Sequence, residues 1–177
     1  NFIFYPLINK DLGEISLESK EFNKAIYYFK QVEKLPISNK QGYKISIIYE
    51  NLGISYLHLN LFNKAEEYFF KSLELQEKEK DLISLIGLNM NIAGLYYQQY
   101  KDSQAITFFE KAYNLSKKVN HFESKKNASL NMAIVEENRA NFKQALIYRK
   151  ESEQWKDSHN KQNKVWALEN KKKKYAV

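Results

Sequence analysis

Apolar residues recur three and four positions apart along almost the whole chain, which is the spacing of an amphipathic helix. Near the middle the run is Ile45, Ile48, Tyr49, Leu52, Tyr56 and Leu59, and it resumes beyond Asn60 as Phe62, Ala65, Phe69, Leu73 and Leu75. The interruption predicts two helices joined by a tight turn, with Asn60 in the left-handed conformation that asparagine tolerates. The same pattern returns at a fixed interval. Leu12-Gly13, Leu52-Gly53, Ile92-Ala93 and Met132-Ala133 fall every 40 residues. Each is followed by Ala25, Ala65, Ala105 or Ala145, and four positions later by Phe29, Phe69, Phe109 or Arg149. Asn51, Asn91 and Asn131 make a further column headed by Asp11, and Phe22, Phe62 and Phe142 another, interrupted by Asp102. Columns that share one register define an internal repeat, each unit a helix pair that buries its apolar face only by stacking on its neighbours. The expected fold is all-α: about four antiparallel helix pairs, in units of about 1–39, 40–80, 81–120 and 121–157, then a helix over 158–177.

Gly53 and Ala65 are small so that the two helices of a pair approach closely and Tyr56 and Phe69 interlock around them. Tyr56, Tyr96, Phe29, Phe69 and Phe109 are therefore expected in the core. The stretch Tyr49-x-x-Leu52-Gly53-x-x-Tyr56, followed by Ala65-x-x-x-Phe69, resembles the tetratricopeptide repeat. The resemblance extends over residues 7 to 157. Ser16 and Glu136 stand where the pattern has Tyr, and Arg149 where it has Phe, so the outer units are degenerate. It implies a right-handed superhelix. The 40-residue period and the missing terminal Pro imply lengthened helices, similar to kinesin-light-chain-type and peptide-pheromone-receptor-type members.

At the C-terminal end, Asp157-Ser158-His159-Asn160 reads as a helix break and N-cap between Trp155 and Trp166. Val165, Leu168 and Tyr175 beyond it predict one more helix, either capping the array or entering a coiled coil, where a homodimer contact is available. Tetratricopeptide units followed by such a helix resemble bacterial sensor and regulator proteins. That implies a setting on the cytoplasmic or periplasmic side of a membrane-associated regulator. A start at Asn1 rather than Met reads as a piece of a longer protein. Phe2, Ile3, Phe4 and Tyr5 are expected to pack on the first pair or to belong to an upstream helix.

Composition narrows the function classes. With 5 Gly and 2 Pro the chain lacks the turn formers of an all-β fold. No Cys is present, which removes disulfides, thiolate metal sites and cysteine nucleophiles. Net charge is +7, but only 2 of the 28 basic residues are Arg, the preferred reader of phosphate and base edges, which argues against nucleic acid. The surplus is also local: residues 122–177 carry 13 basic and 7 acidic residues, so the remainder is nearly neutral. His58, His121 and His159 have no metal-binding partners at the required spacing. Neither a glycine-rich phosphate loop nor a nucleophile elbow is present. The sequence therefore predicts no catalytic residue, metal or cofactor, and no small-molecule substrate.

Binding has a stronger basis. Stacked pairs of this type expose an extended concave face. Asn51, Asn91 and Asn131 recur on the first helices, although Asn is disfavoured inside helices. A ladder of amides can donate to and accept from an extended peptide backbone, and in the long-repeat members resembled here Asn at this place contacts the bound peptide. The alternative is that these amides bond to the neighbouring unit and set its stacking. Helical spacing adds Ile47, Ile54 and His58, then Gly87, Gly94 and Gln98, then Asn127, Ile134 and Asn138 to the same surface. Gly87 and Gly94 form either a shallow slot or a close helix contact. Lys10 and Glu14 do not complete a basic clamp for a C-terminal carboxylate. The expected partner is a protein or peptide; the alternatives are a structural dimerisation module or a peptide-pheromone-type regulator.

Overall fold

The computed structural model describes residues 4–35 and 44–175. Among these are eight helices: α1 (Phe4–Glu18), α2 (Phe22–Glu33), α3 (Ile45–His58), α4 (Phe62–Glu79), α5 (Leu82–Gln98), α6 (Asp102–Ser116), α7 (Phe122–Asn138) and α8 (Phe142–Tyr175). They pair as α1–α2, α3–α4, α5–α6 and α7–α8, and the second helix of each pair packs on the first helix of the next. First helices also touch one another in the order α1, α3, α5, α7, while second helices lack comparable contacts. The closer row lies on the inside of a curved array, so the first helices line the concave face. Phe4 and Tyr5 belong to α1; Phe2 and Ile3 lie outside the described residues.

Each pair closes on one turn geometry. Lys20, Asn60, Tyr100 and Ala140, again 40 apart, all have φ between 57° and 60°. In each turn two amides fold back on the first helix. In the second unit Leu61 N donates to Tyr56 O at 2.9 Å and Asn60 N to Leu57 O at 2.9 Å. This is the Schellman closure of a helix C-terminus. Only Asn60 suits the left-handed region by residue type, so the chain imposes that conformation on Lys, Tyr and Ala for the sake of the tight turn. First helices begin differently: Asp81 caps α5 by accepting from Ser84 N at 3.2 Å, and His121 caps α7 through Ser124 N at 3.3 Å.

The core follows the repeat columns. Phe29, Phe69, Leu52, Ile92, Ala25 and Ala65 are fully buried, and Tyr56 and Tyr96 nearly so. Phe109, expected beside them, is only half-buried, while the adjacent Phe108 is buried against Tyr96 at 5.7 Å between ring centroids. The cause lies in the opposite helix. A Cβ on Gly53 would stand 2.6 Å from Phe69 Cε1, so the Phe69 ring occupies the space a side chain would need. The third unit has Ala93 there, whose methyl excludes the ring from that position. In the fourth unit Ala133 faces Arg149, which leaves the core and binds Glu137 at 2.7 Å. Glu136, at the tyrosine position, is buried but receives hydrogen bonds from Arg139 at 3.0 Å and Asn141 at 2.8 Å.

The helix break expected at 157–160 is absent, and α8 runs unbroken for 34 residues. Asp157, Ser158, His159 and Asn160 lower helix propensity by only a few tenths of a kcal/mol each, and none is Gly or Pro. Ser158 Oγ donates to Gln154 O at 2.9 Å within the continuing helix. Residues 160–171 are exposed, so this half of α8 projects from the array rather than folding back as a separate cap. No described helix is long and apolar enough to cross a membrane.

Candidate functional site

The concave face is built from the outward sides of α3, α5 and α7. Asn91, Gly94, Asn127 and Asn131 converge there on one depression, completed by Met90, Leu130 and Phe109. Three amides thus edge a patch whose floor is apolar. A second, smaller recess of about 100 Å³ lies among Tyr97, Asp102, Ala105, Ile106, Phe109, Val135, Asn138 and Arg139. It is below the roughly 300 Å³ at which small-molecule sites begin and has room for one side chain.

The three asparagines of the ladder differ in their bonding. Asn51 and Asn131 are half-buried with no side-chain hydrogen-bond partner among the described residues. Asn91 instead donates Nδ2 to Glu50 Oε1 of the preceding unit at 2.9 Å. Glu50 Oε2 in turn accepts from Gln76 Nε2 at 2.9 Å, and Gln76 also donates to Ser72 Oγ at 3.1 Å. Ser72 Oγ donates to Ser46 O at 2.7 Å, so one polar thread joins α3, α4 and α5. Burial raises the Glu50 carboxyl above the usual carboxylate range, against the two amide hydrogen bonds that lower it.

The remaining predicted residues divide. Asn127 donates to Glu123 Oε1 at 3.3 Å while lining the depression. Asn138 donates to Tyr97 Oη at 3.1 Å across the unit boundary. Ile134 is 40% exposed on α7. Ile54 packs against the core, and Ile47 is half-buried. His58 stacks on Phe22 of the first unit, with ring centroids 4.5 Å apart and planes 8° from parallel. Its ring thus makes a contact between the first and second units. Gln98 is exposed and lines neither recess. Of the two glycines, Gly94 faces open space, and Gly87 meets only Glu50 Oε1, 3.9 Å from where a Cβ would be. Both form open slots; neither is a close helix contact. Among the described residues no group of His, Asp and Glu could hold a metal ion.

Residues 47–79 match the family model of the tetratricopeptide repeat. The chain has the fold of a tetratricopeptide-repeat solenoid. Solved structures carry the same fold over far more of its length. The apo form of RapI superposes with a TM-score of 0.77 at 17% identity, covering 91% of this chain and 59% of that one. BtubC (BKLC) from P. vanneervenii gives 0.75 at 19% identity, covering 88% and 64%. The Rap conjugation gene regulator of plasmid pLS20, in complex with the Phr* peptide, gives 0.68 at 15% identity, covering 82% and 41%. The solenoid therefore spans less than two thirds of each of these structures. Comparison with curated protein sequences finds no match.

Sequence reasoning missed Glu50, Met90 and Leu130. They occupy one column with Lys10, again at 40-residue steps, directly before the asparagine column. Its chemistry changes from Lys to Glu to Met to Leu, so it has no repeated residue type to attract notice. Its constant spacing was the available signal.

Proposed function

We propose that this solenoid is a non-catalytic scaffold that holds an extended peptide, or an extended segment of a protein partner, along its concave face. The observation that carries the reading is the depression between the third and fourth units. Asn91, Asn127 and Asn131 surround Met90, Gly94 and Leu130 there, so backbone-binding amides border an apolar floor. Such a surface suits a peptide strand, whose backbone needs donors and acceptors at intervals while alternate side chains seek apolar contact. The peptide complex of the structurally similar Rap regulator supports the same kind of ligand, and supports a place in the sensing or interaction region of a larger bacterial regulator.

The test is direct because Asn131 and Asn51 have no partner to lose. Hexapeptides selected from a random library against the native chain are expected to bind Asn131→Ala about tenfold more weakly, the effect of one or two lost hydrogen bonds. The melting temperature is expected to stay unchanged. Undiminished binding by both Asn131→Ala and Asn51→Ala would remove the groove assignment. Asn91→Ala is a poorer probe, because it also strips a hydrogen bond from Glu50.

Self-association through the projecting half of α8 is a second reading. Val165, Trp166 and Leu168 are 54%, 66% and 61% exposed there. Light scattering is expected to give a dimer mass for the native chain and a monomer mass for Val165→Glu combined with Leu168→Glu. The same mass for both proteins rules the dimer out.

A further inference from the structure

Glu50 is the groove residue whose charge is least compensated. It is half-buried on α3, and no Lys, Arg or His forms an ion pair with it among the described residues. The nearby cation Lys44 binds Glu79 and Asp81 instead. Both carboxylate oxygens are held by neutral amides, Asn91 on one and Gln76 on the other. A carboxylate oxygen has two acceptor positions, so each retains one. Beneath it Gln76 is fully buried, and its Oε1 has no hydrogen-bond partner among the described residues. The cluster is rich in acceptors and short of donors, which is an unfavourable state for a desolvated anion left to itself.

The way in is open on one side. The residue of α5 that faces Glu50 is Gly87, and a Cβ there would meet only Glu50 Oε1, at 3.9 Å. Any larger side chain at 87 would lie across the carboxylate. Glycine inside a helix lowers its stability by roughly 0.5–1 kcal/mol relative to Ala, so the opening carries a structural penalty that packing does not explain.

We propose that the Glu50 carboxylate, reached over Gly87, binds the positive group of a segment lying in the groove: a Lys or Arg side chain, or a free N-terminal amine. This rests on the groove-binding reading above and adds its specificity. Asn91 belongs to both places, donating to Glu50 and edging the apolar depression of the next unit. The two subsites are therefore one helix spacing apart, on the order of 10 Å. An extended strand covers that distance in about three residues. The ligand carries a cation and, two to four residues along, an apolar side chain for the floor of Met90 and Leu130.

Positional-scanning hexapeptide libraries, one with free and one with acetylated N-termini, test this against the full chain. Enrichment of Lys or Arg at one position in both libraries is the expected result for a side chain. Binding confined to the free library is the result for an amine. Glu50→Gln is expected to abolish the cation preference and to weaken the best peptide at least tenfold. Its own fold is retained, since an amide at 50 keeps its oxygen on Gln76 Nε2 and turns its nitrogen to Asn91, whose half-buried side-chain amide bonds only residue 50 among the described residues and turns over to accept. Gly87→Leu is expected to weaken the same peptide comparably with Glu50 intact, by covering it. Cation preference that survives in Glu50→Gln, or selected peptides that lack a cation, overturns the subsite while leaving the groove in place. A native chain that enriches no peptide in either library overturns the groove reading and this inference together.

Discussion

Phe69→Ala is expected to destabilise the solenoid by about 3–5 kcal/mol, the range for removing a buried aromatic ring and leaving a cavity. In a chain of this length that lowers the melting temperature by roughly 10 °C. Phe69 has no exposed surface and seals the second pair between Gly53 and Ala65. The equivalent substitution one unit on, Phe109→Ala, is expected to lose only about 1 kcal/mol, because that ring is half-buried and its neighbour Phe108 fills the core. Thermal or urea denaturation of the two variants distinguishes the cases. Equal losses would show that the two units are packed alike, contrary to the burial described here. Since a repeat array unfolds as units coupled to their neighbours, a broadened transition for Phe69→Ala is also expected.

Gly53→Ala and Gly94→Ala are expected to shift stability in opposite directions, although both put one methyl inside a first helix. Helix propensity favours Ala over Gly by up to about 1 kcal/mol at both sites. At Gly94 nothing lies within 4 Å of the added carbon, so the gain is realised as about 0.5–1 kcal/mol of stability. At Gly53 the carbon would overlap Phe69, 2.6 Å from Cε1, and that ring is enclosed on all sides. Overpacking of this kind typically removes 1–3 kcal/mol, which exceeds the propensity gain. The Gly13–Phe29 pair, where the corresponding distance is 2.5 Å, should behave like Gly53–Phe69. A stabilising Gly53→Ala would show that the ring can shift, and would remove the account given above of why Phe109 departs from the core.

The polar side of the groove was partly legible. The asparagine column puts Asn91 and Asn131 on one face, and the structure brings them together with Gly94 and Asn127. Their partners could not be read. Asn91 and Asn131 are the same residue at the same repeat position, yet one is bonded and the other is not. The difference is the residue presented by the preceding unit: Glu50 offers an acceptor to Asn91, whereas the next residue in that column is Met90. His58 reads as a groove residue from its spacing, and its stacking on Phe22 of the preceding unit could not be read from that spacing.

The helix pairs, the 40-residue period, the left-handed turn at Asn60 and the Gly53–Phe69 lock are all legible in the amino-acid order. Each of these rests on local backbone preference or on a contact repeated in register, and repetition makes the signal additive along the chain. Packing between units sets which amides of the ladder lack a partner among the described residues, that Phe108 rather than Phe109 fills the third unit, that α8 continues as one helix, and that Glu50 lies open beneath Gly87. Those outcomes depend on the particular side chain that a neighbouring unit brings to a single place. A periodic pattern, which records only what the units share, carries no information about it.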